Sequence, residues 1–120
     1  MTVSFVSSDE TEGKVSPSSW TFTSTNWNSA KDVTITGQAD NISDGDQSYS
    51  VWITGDNDTS DARYLNLDPS DVSLKNLDRD SAGFIVSSIS GELKEDLTSA
   101  SFTVRLRSQP EDNVTITLKS

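Results

Sequence analysis

The chain has no histidine and no cysteine. Ser-His-Asp and Cys-His nucleophilic pairs are therefore absent, as are disulfides and the usual His/Cys zinc site. What the sequence offers for chemistry is oxygen: 19 acidic residues, 14 of them Asp, and 35 Ser and Thr among 120 residues. Carboxylates, hydroxyls and carbonyls suit hard cations. Calcium in particular takes six to eight oxygens at about 2.3–2.6 Å. Asp78-Arg79-Asp80 sets two carboxylates two residues apart, and at a strand end such residues point to one side. The run from Asp56 to Asp61 alternates oxygen donors but lacks the Gly and terminal Glu of an EF-hand loop, so it reads first as a loop. Asp is also a common turn former, and any single one is expected on a solvated turn. Several together repel one another unless a cation neutralises them. Paired carboxylates can hydrolyse glycosides, but a small strand-rich domain offers no obvious deep cleft, so neither catalysis nor a catalytic residue is expected.

The elements that must position these groups are strands. Apolar and polar residues alternate through Val3–Phe5, Trp20–Phe22, Val33–Ile35, Tyr49–Ile53, Val72–Leu74, Phe102–Leu106 and Val114–Leu118, and Phe84 to Val86 adds an eighth apolar stretch. Period two with one apolar side means half-buried strands. Clusters of Gly, Pro, Asn and Asp separate them, and no segment carries a 3.6-residue stripe. The pattern predicts an all-β fold, an immunoglobulin-like antiparallel β-sandwich of about seven to nine strands. Trp20 reads as core, Trp27 as cover for one end, and Trp52 as an aromatic on the polar side of its strand. The net charge of -10 and pI near 4.1 disfavour nucleic acid. No apolar run is long enough for membrane insertion. The sequons at Asn41, Asn57 and Asn113 read as coincidental.

The two ends share a pattern: Thr2-Val3-Ser4-Phe5-Val6-Ser7 against Thr115-Ile116-Thr117-Leu118-Lys119-Ser120. This predicts one period of a tandem array, cut within a repeat, with Met1 as an added start. The residues then resemble a known family, the Calx-beta repeats of large bacterial surface proteins and adhesins, related to the calcium-binding domains of sodium-calcium exchangers. The resemblance rests on Ser8 to Gly13 with Val15-Ser16-Pro17, on Thr21-Phe22-Thr23 through Asn26-Trp27-Asn28 to Val33–Gly37, and on Asp40 to Asp46 leading into Tyr49. Tyr64 to Asp71 and Asp78 to Gly83 complete it. It covers nearly the whole chain.

The resemblance implies that residues 2–80 are the later strands of one repeat and 84–120 the first strands of the next, with a boundary close to Asp80–Gly83. The second set would fold back within the single unit 1–120 or exchange with a neighbour. It also implies calcium ligands at Asp9, Asp40, Asp44, Asp78, Asp80 and Glu95, with Ala39, Asn41 and Gln47 departing from acidic positions of the family. The expected function is a calcium-stabilised extender repeat at the surface of a bacterial cell, bound to neighbouring repeats of the same polypeptide. The alternatives are a carbohydrate- or protein-binding module using exposed Trp and loops, and a subunit assembling head to tail by strand exchange.

Overall fold

A computed structural model describes residues 1–57, 59–89, 91–96 and 98–120. Among them the chain forms eight short strands and no helix, hence none long and apolar enough to cross a membrane. The strands are β1 (Thr2–Ser7), β2 (Gly13–Ser16), β3 (Ser19–Thr21), β4 (Thr34–Gly37), β5 (Gln47–Gly55), β6 (Val72–Asn76), β7 (Phe84–Val86) and β8 (Val104–Leu106). They fall into two compact units. The first comprises residues 1–39 and 46–77, the second residues 40–45 and 78–120.

In the first unit β3, β1, β5 and β6 make a four-stranded antiparallel sheet in that order, and β2 pairs antiparallel with β4. Register follows from alternation. Phe5 lies opposite Ile53 and Ser7 opposite Val51, while Tyr49 and Val51 lie opposite Leu74 and Val72. One side of β5 thus carries Tyr49, Val51 and Ile53; the other carries Ser48, Ser50 and Trp52. The buried residues are Phe5, Ser7, Gly13, Tyr49 and Val51, with Val51 only 2 % exposed. Gly13 begins β2 because nothing larger fits there: a Cβ would overlap the Tyr49 ring. That close approach brings β2 against the apolar side of β5. A cis Ser16–Pro17 peptide turns β2 into β3.

Trp20 is half-buried, donates its indole N–H to the Asp32 carbonyl at 3.0 Å and lies under the Lys31 ammonium. Trp52 is exposed on the polar side of its strand, as its phase requires. Trp27 differs from expectation. It is 70 % exposed and covers nothing, because Asn26 closes a tight turn: its side chain accepts from the Thr23 amide and donates to the Thr21 carbonyl.

In the second unit β7 and β8 form an antiparallel ribbon, with Phe84 opposite Leu106 and Val86 opposite Val104. The 40–45 loop joins it through a parallel bridge between Ile42 and Gln109, whose amide donates to the Asn41 carbonyl at 2.6 Å. The strand expected at Val114–Leu118 does not form. Alternation makes that segment competent to pair, but the place in this chain built for its pattern, between β3 and β5, is filled by β1.

Replacing Gly13 by Ala forces the Tyr49 ring aside. Overpacking of this kind costs about 1–3 kcal/mol, so thermal unfolding followed by circular dichroism is expected to show a melting temperature lower by roughly 4 °C or more. An unchanged melt would mean that Tyr49 does not hold β2.

Candidate metal centre

Five of the six expected ligands lie in the second unit, and four of them sit on two short segments that hydrogen bonds draw together. Asp40 and Asp44 lie on the 40–45 loop, and Asp78 and Asp80 on the segment that precedes β7. Asp78 organises the group. One carboxylate oxygen accepts from the Gly45 amide at 2.8 Å, the other from the Asp80 amide at 2.8 Å. Gly45 can present its N–H this way because it sits at φ +79°, a conformation that L side chains rarely adopt. The Asp40 carboxylate accepts from the Ile42 amide at 2.9 Å and so shapes the start of the loop. The Ser43 hydroxyl donates to the Asp80 carbonyl at 3.4 Å.

Electrostatics match this geometry. Amide donors at Asp80, Gly45 and Asp44 favour the charged form of Asp78 and hold its carboxyl below the ordinary carboxylate value. Arg79 adds the local counter-charge. Its guanidinium donates to the Asp40 carbonyl at 3.1 Å and stands 3.5 Å from the Asp80 carboxylate. Four carboxylates against one exposed guanidinium leave an excess of negative charge. A carboxylate offers about four lone-pair sites, so accepting one amide at Asp40, or facing Arg79 at Asp80, is compatible with ligating a cation. Carboxylate oxygens of Asp40 and Asp44 lie within 4.8 Å of each other, and Asp78 and Asp80 on the tied segment carry further oxygens of the kind that calcium takes.

Asp9 and Glu95 stand apart from this set. Asp9 belongs to the first unit, in the turn between β1 and β2. There its carboxylate accepts from the Thr11 hydroxyl at 2.5 Å and the Thr11 amide at 2.9 Å. The hydroxyl is the larger cause, and both hold Asp9 below its ordinary value. Its carbonyl also receives the Gly13 amide at 3.0 Å, so Asp9 shapes the entry to β2. Glu95 is exposed in a turn between β7 and β8, and among the described residues no hydrogen bond joins it to the other acids.

In the 56–61 loop, Asp61 forms a two-point ion pair with Arg63, at 2.9 and 2.7 Å, which lowers its carboxyl from the ordinary 3.8 to about 2. One Asp56 oxygen is buried without a partner. Asp58, in the middle of the alternating run, lies outside the described residues.

Sequence reasoning missed Gly45, Ser43 and Arg79. The Asp44-Gly45 pair is a turn signal that could have marked the first of these, and Arg79 stands between the two paired acids. No family model, no curated protein and no solved structure matches this chain.

Two outcomes follow from the carboxylate contacts. Asp9, Asp61 and Asp78 have depressed values when folded. Their contribution is therefore present above the ordinary carboxylate value and lost as pH falls through the folded one. Thermal melts are expected to be flat from about pH 7 to 5 and to fall steadily from about pH 4 towards 2; a melting temperature that rises on acidification would contradict these contacts. Asp78→Ala removes an acceptor for the Gly45 and Asp80 amides, and both are expected to exchange with deuterium several-fold faster, roughly up to tenfold. Unchanged exchange at both would show that Asp78 does not tie the loop.

Proposed function

We propose that this chain is a calcium-stabilised structural repeat of a Calx-beta-like, extracellular bacterial surface protein, without catalysis. In this reading the strands complete an immunoglobulin-like sandwich within an array of similar units. Calcium at Asp40, Asp44, Asp78 and Asp80 stiffens the loops and offsets their mutual repulsion, while Asp9 and Glu95 are further carboxylates of the same expected set.

The observation that carries the proposal is the tie between the 40–45 loop and the 78–80 segment through Asp78, which gathers four acids in one unit. Supporting it are the motifs spread along the chain and the net charge of -10, which leaves the metal-free protein with unrelieved repulsion. The division of the chain at Asp78 also lies beside the boundary that the resemblance places at Asp80–Gly83.

A second reading, a carbohydrate- or protein-binding module, is favoured by one feature of the first unit. An open groove of about 570 Å³ along β5 and β6 is lined by Ser8, Ser48, Ser50 and Ser73, by Tyr49, Leu74 and Lys75, and by the half-exposed Trp52. An indole bordered by hydroxyls can stack on a sugar ring. Titration of neutral oligosaccharides against the Trp52 indole N–H resonance separates this reading from a purely structural one.

Calcium binding to the folded state alone raises stability by mass action. Extracellular modules hold calcium with dissociation constants of roughly 10⁻⁴–10⁻³ M, so about 10 mM calcium supplies roughly 1.4–2.7 kcal/mol per site. The melting temperature is expected to rise by roughly 5 °C or more, with little rise in sodium chloride of equal ionic strength, and to lose most of the rise in Asp78→Ala with Asp80→Ala. Equal shifts in calcium and sodium would reduce the effect to general screening and remove the site.

A further inference from the structure

The last apolar alternation of the chain has no place in a sheet. Val114, Ile116 and Leu118 are 48, 42 and 70 % exposed and lie outside every strand. Yet the segment repeats β1 position by position. Thr2, Val3, Ser4, Phe5 and Ser7 correspond to Thr115, Ile116, Thr117, Leu118 and Ser120, and only Val6, replaced by Lys119, changes character. β1 shows what this pattern does when it is placed. It pairs antiparallel on both sides, Val3 with Trp20 and Gly55, Ser4 with Ser19 and Thr54, and it sends Phe5 into the core. Val6 lies on the outer side opposite Trp52, half-exposed. A lysine there keeps its ammonium in water and lays its stem along the indole.

We propose that residues 114–120 act as a donor strand for the β1 place, between β3 and β5, of a second copy of this chain. A second copy is the occupant because every copy carries β3 and β5 in the register that this pattern fits, whereas an unrelated sheet edge would match it only by chance. Strand exchange between identical chains is a low-cost route to assembly, and main-chain pairing along an extended segment supplies the affinity. Each insertion releases an equivalent β1, and Leu118 fills less of the core than Phe5. Exchange is therefore near balance in the intact protein, and weakening β1 tips it towards assembly.

The absence of cysteine makes a register test direct. One full-length preparation carries Thr117→Cys and another Thr54→Cys. Ser4, the counterpart of Thr117, pairs with Thr54, and cross-strand Cα separations of about 4.5–5.5 Å accommodate a disulfide. Mixed at equal concentration under mild oxidation, the two are expected to give a disulfide-linked heterodimer roughly fivefold above that from Ile116→Cys with Thr54→Cys, whose side chains point to opposite sides of the sheet. Phe5→Ala in the acceptor raises the yield, and Leu118→Asp in the donor abolishes it. Equal yields from the two registers, or no heterodimer above the control with either the intact or the Phe5→Ala acceptor, would overturn the proposal.

Discussion

The ladder between β1 and β5 is the interaction on which the first unit depends. Phe5, Ser7, Tyr49 and Val51, the buried side chains of this unit, all belong to these two strands. Such a small core leaves little margin. Its largest polar-tipped member, Tyr49, reaches across to the glycine that opens β2, so the position of the second ladder is fixed by one ring against one residue without a side chain. Turn chemistry then supplies what burial cannot. Asp9 caps the turn from β1 into β2 through Thr11 and Gly13, and Asn26 closes the turn that follows β3.

In the second unit order comes from polar contacts more than from burial. The β7–β8 ribbon leaves Phe84 and Val86 exposed, as is Phe102 just before β8, and two strands alone are marginal in water. The 40–45 loop is held by a carboxylate accepting backbone amides and by an arginine on a backbone carbonyl. Charge-assisted bonds of this type are stronger than neutral ones. They also concentrate negative charge, which a divalent cation would relieve.

Much of the strand order was legible in the sequence because alternation is a local signal. Val3–Phe5, Tyr49–Ile53 and Val72–Leu74 read directly as strands and pair in the phase that their apolar residues dictate. β2 was not legible: Gly13-Lys14-Val15-Ser16 holds one apolar side chain, and its place is set by Tyr49 from across the sheets. Val114–Leu118 errs in the opposite sense, since alternation reports the capacity to pair and says nothing of whether a partner is present. Of the site, the residue types were legible and their division was not. Nothing local distinguishes Asp78, which binds amides on two segments, from Asp9, whose carboxylate is taken up by its own turn. Trp27 failed as a cover for a similar reason, because the turn built by Asn26 directs it to solvent.

The decisive property of this chain is whether the loop tied by Asp78 receives calcium. A two-dimensional amide NMR titration with calcium chloride at constant ionic strength reports this residue by residue. Saturable shifts concentrated at Asp40 to Gly45 and at Asp78 to Asp80, with the first unit unmoved, are the expected result. Linear drift across the whole spectrum, or saturable shifts confined to the 56–61 loop, would contradict it.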